Sequence, residues 1–124
     1  MKVSIAPAMA LAASMITGCS EQQEAAVSLA AMSEEEHLAC AAKISAFDRL
    51  LGEGKVAAMP DGTGDRLVAM MTHLNSYAIP QNIREPDAFA ALNALREQFL
   101  AEQKPDAIRA DAMECIGVAV EALG

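Results

Sequence analysis

The chain has no tryptophan, one tyrosine and three phenylalanines, so aromatic residues make up 3% of it although hydrophobic residues make up 53%. A β-sheet core draws on aromatic and β-branched side chains, and apolar content carried mainly by Ala, Leu, Met, Val and Ile favours helices instead. Basic residues are also scarce: nine Lys and Arg stand against 17 Asp and Glu, for a formal charge of -8 at pH 7. The nine are scattered singly, whereas phosphate contacts need clusters, so nucleic acid is excluded as a partner, and so is electrostatic docking on anionic lipid headgroups. No segment alternates apolar and polar residues as a strand would, and no internal repeat is visible.

One long uncharged run does occur, at the start. Met1-Lys2 is followed by Val3 to Ile16 without a charge, then Ile16-Thr17-Gly18-Cys19, then the polar Ser20-Glu21-Gln22-Gln23-Glu24. A basic start, a short apolar core and a small residue before a cut describe a secretory signal, expected here over residues 1–18. As a membrane span the run is too short, since crossing takes roughly 20 apolar residues, and Pro7 interrupts it. Cutting would remove Lys2 and leave the rest about one unit more negative.

Ile16-Thr17-Gly18-Cys19 resembles the lipobox of bacterial lipoproteins: an aliphatic residue, a small or β-branched one, a small one, then Cys. Ile16 stands where Leu is commonest. The resemblance implies that Cys19 becomes the first mature residue and carries a diacylglycerol on sulfur, usually with a third chain on its amine. Several chains anchor stably where one would be marginal, at about 0.8 kcal/mol per buried methylene. It further implies that Ser20, not being Asp, permits transfer to an outer membrane, with the domain facing the periplasm. The alternative is an ordinary secretory peptide in which Cys19 is incidental.

Residues 19–32 are polar and Ala-rich and read as a tether. Residues 33–124 carry four helical segments, for an all-α, small four-helix bundle-like domain. The first runs from Ser33, an N-cap with Glu36 three residues on, to Gly52, with Cys40, Ile44, Phe47 and Leu51 on its inner face. A loop from Glu53 to about Gly64 follows. The second helix covers about Asp65 to Ala78 with Leu67, Met71, Leu74 and Ala78 inward, and stops before Pro80. The third starts near Pro86 and turns Phe89, Leu92, Leu95, Phe99 and Leu100 inward. Lys104-Pro105-Asp106 begins the fourth, with Ile108, Ala112, Cys115, Ala119 and Leu123 inward. Short connections imply an up-down-up-down order, with an orthogonal or irregular packing as the alternative.

With Cys19 given to lipid, Cys40 and Cys115 remain, and outside the cytoplasm such a pair is a candidate disulfide. Cys40 falls roughly 9 Å from the start of the first helix and Cys115 roughly 12 Å from the end of the fourth, at nearly one level if those helices are antiparallel. The alternative is two buried thiols acting as small hydrophobes. Thiol catalysis is disfavoured, since catalytic pairs are usually close in sequence and sit at a helix start.

His37 and His73 are the only histidines, and the up-down order brings both toward one end of the bundle, with Met70 one turn from His73. That could form a haem or metal site. The spacing lacks Cys-x-x-Cys-His, His-x-x-x-His and Glu-x-x-His, so the favoured reading is two partly exposed surface residues on the flanks of their stripes, with no cofactor. Glu34-Glu35-Glu36 reads as helix capping, and Asp61-Gly62-Thr63-Gly64-Asp65, which lacks the further ligands of a calcium loop, as a turn. No Gly-x-Ser-x-Gly elbow, phosphate loop or dinucleotide fingerprint occurs, so no enzyme is expected.

Two functional readings follow: a non-catalytic envelope lipoprotein that binds or supports another envelope component, or a ligand-binding bundle holding haem, metal or a small apolar molecule. The Ala-rich helices, Tyr77 to Pro80 and the Ala91 to Arg96 run also resemble small uncharacterised exported proteins of alphaproteobacteria, a likeness that implies no activity.

Overall fold

Ser33 opens the first long helix because its side chain supplies what a helix start lacks. Its Oγ accepts the Glu36 N–H at 3.1 Å, and the Glu36 carboxylate accepts the Ser33 N–H at 2.9 Å, closing the capping box read from the sequence. The bond from the Ser33 backbone, and then that with its side chain, hold the Glu36 carboxyl below the ordinary carboxylate range. Three successive glutamates lie in the first turn, at the positive end of the helix dipole. The helix, α1, spans Glu34–Gly52 and ends where Gly54 takes a left-handed φ of 71°, while the Lys55 N–H returns to Leu50 O at 2.9 Å.

In a computed structural model that describes residues 28–60 and 64–123, three further helices follow α1: α2 (Gly64–Ala78), α3 (Glu85–Glu102) and α4 (Pro105–Leu123). Pro80 sits in a 3-10 turn, Ile79–Gln81, which Asn82 leaves in left-handed conformation at φ 56°. Pro86 occupies the first turn of α3, and Pro105 opens α4, both places where a missing N–H costs nothing. The described residues contain no strand, so the fold is all-α and four-helix bundle-like. By its contacts the chain divides into two parts, residues 1–31 and 32–124. In the first, Leu29–Ala31 forms a 3-10 turn. The expected signal peptide, Cys19, the tether up to residue 27 and the turn residues Asp61 to Thr63 lie outside the described residues.

Helix directions are fixed by side-chain pairs. His37 meets His73 and Asp48 meets Arg66, so α1 and α2 are antiparallel. Cys40 meets Cys115 and Lys43 meets Asp111, so α1 and α4 are antiparallel too. Ala41 and Ala42 pack with Ala88 and Leu92 of α3, while Arg49 pairs with Glu97 further on, so α1 and α3 run the same way. The order of directions is therefore up-down-up-down. The packing departs from a square bundle: α1 lies against all three other helices, whereas α3 and α4, consecutive in sequence, meet least.

That central place gives α1 two buried sides. On one, Cys40, Ile44, Phe47 and Leu50 pack with Ala69 of α2 and with Ile108, Ala112, Cys115, Ile116 and Ala119 of α4. On the other, Ala41 and Ala42 face Leu74 and Ala78 of α2 and Ala88 and Leu92 of α3. Alanine is what allows both approaches, since a larger side chain would hold the helices apart. A single inward stripe therefore understates the burial of α1, and the first-helix core includes Leu50 ahead of the half-buried Leu51. Two residues expected inward point to solvent, Leu67 at 63% exposure and Leu123 at 59%; each lies close to a helix end, where none of the described residues covers it.

Cys40 and Cys115 form a disulfide with a Cα separation of 5.4 Å. It joins positions 75 residues apart, and restricting so long a loop in the unfolded chain is worth about 4 kcal/mol by the entropic estimate. Replacing both cysteines by Ala is expected to lower unfolding stability by about 2–4 kcal/mol. Phe47→Ala, at the largest fully buried side chain, is expected to cost about 3–5 kcal/mol. Urea denaturation of each variant beside the parent, followed by helical circular dichroism, checks both.

Candidate functional site

Several charged residues of the domain are tied up in surface pairs. Arg49 and Arg96 both reach Glu97, at 3.0 and 2.9 Å, and the hydrogen bond from Arg96, then that from Arg49, hold its carboxyl below the usual range. Arg109 reaches past the helices to hold the loop carbonyls of Ala57 and Ala58 at 2.9 and 3.3 Å. Lys43 pairs with Asp111 at 3.1 Å and stands 5.2 Å from the centre of the Phe99 ring, a cation over an aromatic face. Exposed pairs of this kind are worth little apiece, and none of them brings chemistry-bearing groups together.

The histidines do. His37 extends the α1 stripe one turn back from Cys40, and His73 stands one turn beyond Ala69 on the face α2 turns to α1. His73 is fully buried and His37 is 5% exposed. Their reading as partly exposed flank residues is thus corrected: α1 and α2 approach so closely over their alanines that the flanks are covered as well. The Nδ1 atoms of the two rings lie 3.0 Å apart, and Nε2 of His73 lies 2.7 Å from the carbonyl oxygen of Cys115.

These contacts assign the protons. A carbonyl only accepts, so His73 carries its hydrogen on Nε2 and donates it to Cys115 O. Neutral His73 then has a lone pair on Nδ1, and His37 donates its Nδ1–H to it. The remaining nitrogen, Nε2 of His37, has no hydrogen-bond partner among the described residues, so there it is the outer end of a relay running inward to α4. Should both rings be protonated, two N–H groups would face each other and the contact would be lost. Burial holds the His73 ring below its ordinary value of 6.5; the bond to Cys115 O opposes that shift, and the nearby His37 adds to it.

The pair is joined to the disulfide. Cys115 supplies the sulfur bonded to Cys40 and the carbonyl that takes the His73 proton, and Cys40 lies one helical turn after His37. Four of the five residues singled out from the sequence, His37, Cys40, His73 and Cys115, therefore form one cluster across α1, α2 and α4. Cys19 lies outside the described residues. Met70 is half-buried and packs against both core clusters. No set of three or more His, Cys, Asp or Glu side chains among the described residues is placed to hold a metal. Surface clefts of about 390 and 430 Å³ lie elsewhere, one beside Arg49 and Gln103 and one beside Asp48 and Arg66, and neither is lined by a histidine. Among the described residues no helix is long and apolar enough to cross a membrane.

The sequence carried only a partial signal for the burial of the histidines. Stepping back three residues from Cys40, or forward four from Ala69, lands on them. Their polarity argued for the flank, and only the partner ring and the Cys115 carbonyl make the interior acceptable. Comparison with protein-family models, curated proteins and solved structures finds no match for the chain.

An unfolded histidine takes up a proton more readily than the buried His73 does, so unfolding gains protons as the medium is acidified. The contribution of His73 to stability is then intact above its ordinary value of 6.5 and is lost progressively as pH falls below it. His73→Gln, which keeps a donor for Cys115 O but does not titrate, is expected to show a shallower loss of stability between about pH 8 and pH 5. His73→Ala is expected to cost about 3 kcal/mol at neutral pH, from a cavity and an unpaired buried carbonyl. Urea unfolding of both variants and the parent across that range checks the sign and the size.

Proposed function

We propose that the chain is a non-catalytic envelope lipoprotein: a small acidic helical domain, held on a membrane by lipid on Cys19, that binds or supports another envelope component. The observation that carries this reading is the division of its three cysteines. Cys40 and Cys115 close a disulfide inside the domain, which suits an oxidising compartment outside the cytoplasm, and the third stands in the lipobox-like Ile16-Thr17-Gly18-Cys19. The leader over residues 1–18 would direct export, Cys19 would become the first residue, and residues 19–32 would tether the domain at residues 33–124. Ser20 after the cysteine agrees with an outer-membrane destination facing the periplasm.

The domain suits a binding or supporting role more than a catalytic one. Its cysteines are bonded to each other and its histidines are committed to one another and to a carbonyl, so none presents a free nucleophile or base beside a cleft. The excess of acidic residues, a net charge of -8 over the whole chain, turns the domain toward a basic or neutral surface of a partner and away from phosphate-rich ones. The ligand-binding alternative, with haem, metal or an apolar molecule between helices, draws support only from the meeting of His37 and His73.

Expressed with its leader in a Gram-negative host, the chain is expected to partition into the detergent phase and to incorporate labelled palmitate, while Cys19→Ser does neither. A Cys19→Ser chain that still partitions with detergent would exclude the lipid anchor. Crosslinking in intact cells, with and without Cys19, would then identify the component it touches.

A further inference from the structure

The cluster closes a ring through one covalent bond, two hydrogen bonds and one helical turn. Cys40 is bonded to Cys115, the Cys115 carbonyl takes the His73 proton at 2.7 Å, His73 meets His37 at 3.0 Å, and His37 stands one helical turn before Cys40. We propose that opening the Cys40–Cys115 disulfide turns this ring into a four-donor site for one divalent cation of the zinc class, held by two thiolates and the two facing Nδ1 atoms.

The donor set is the first argument. Two sulfurs and two imidazoles in a tetrahedron are a standard zinc environment. Zinc–nitrogen bonds of about 2.0–2.1 Å at tetrahedral angles place two nitrogens roughly 3.3 Å apart, so the nitrogens part by a few tenths of an ångström from the 3.0 Å seen while each ring turns its lone pair from the other nitrogen toward the metal. Two sulfurs on one zinc lie roughly 3.8 Å apart, a spread within reach of cysteines whose Cα atoms are separated by 5.4 Å. His37 and Cys40, at i and i+3 on α1, have the spacing by which a helix gives two ligands to one metal.

The second argument is the orientation of His73. A ligating histidine ordinarily donates its other N–H to a carbonyl or carboxylate, which fixes the tautomer, and His73 already gives Nε2–H to Cys115 O. Its Nδ1 lone pair is therefore ready. His37 has only to move its proton from Nδ1 to Nε2, which has no hydrogen-bond partner among the described residues. One dication with two thiolates and two neutral rings carries no net charge, which is what a buried site requires.

Each step balances. A dithiol reductant gives two electrons and two protons to the disulfide, yielding two thiols and its own cyclic disulfide. The cation then replaces both thiol protons, which leave to solvent. With the disulfide closed there is no site. The inference stands apart from the proposed lipid anchor and does not need it.

The purified full chain, oxidised or reduced with a water-soluble phosphine that is then removed without air, is titrated with Co²⁺ as the probe. The reduced chain is expected to bind one Co²⁺, with the visible bands of tetrahedral cobalt and a near-ultraviolet thiolate band, both abolished by Zn²⁺. The oxidised chain is expected to show neither. His37→Ala, at the edge of the core, is expected to form the disulfide and, once reduced, to bind Co²⁺ at least about tenfold more weakly. A reduced chain with three titratable thiols, Cys19 beside Cys40 and Cys115, and no cobalt bands overturns the proposal. So do equal binding by the oxidised chain and unchanged affinity in His37→Ala. If reduction melts the helices, Co²⁺ must restore the helical circular dichroism together with the bands, and bands without refolding count against the site.

Discussion

Helix α1 is covered on two sides at once, and the rest of the domain is arranged around that. One side receives α2 and α4 over Ile44, Phe47 and Leu50, and the other receives α2 and α3 over Ala41 and Ala42. A core with four aromatic residues in the whole chain cannot fill space with large rings, so it brings backbones close instead, and alanine is the side chain that permits it. The same closeness accounts for the loose meeting of α3 and α4, which are held on different sides of a shared partner.

Close approach has a polar consequence. Near the start of α1 and the end of α2, the positions that the stripes bring inward carry histidines. Two imidazoles are tolerable inside because they satisfy each other and a backbone carbonyl: Nδ1 to Nδ1, then Nε2 to Cys115 O. The chain of donors runs one way, from His37 through His73 to α4, and it links α1, α2 and α4 beside the covalent link between α1 and α4. The end of the bundle farthest from the α1–α2 loop is thus pinned twice, by a bond sensitive to reduction and by a pair sensitive to protons. The other end is held by the Arg49, Arg96 and Glu97 pairs and by Arg109 on the loop carbonyls, contacts that water and salt readily compete for.

Much of this was legible in advance, for reasons that can be named. Ser33 and Glu36 predict their own capping box because the bonds are local and need nothing from the rest of the chain. Pro80, Pro86 and Pro105 mark helix limits because a missing N–H is a local fact. The pairing of Cys40 with Cys115 needed one further step, an antiparallel α1 and α4, and the short connections supplied it. Leu67 and Leu123 were misplaced because period alone cannot tell how far a neighbouring helix reaches.

Helix number, helix limits, the all-α class and the disulfide partners were decided by the amino-acid sequence itself, through propensity, capping and spacing, which act within a few residues or through simple chain reversal. The central place of α1, the burial of both histidines and the meeting of their Nδ1 atoms were decided only by tertiary structure. An imidazole on a helix flank is equally acceptable to water and to a partner ring, and what settles the choice is whether the facing helix comes near enough to offer that partner.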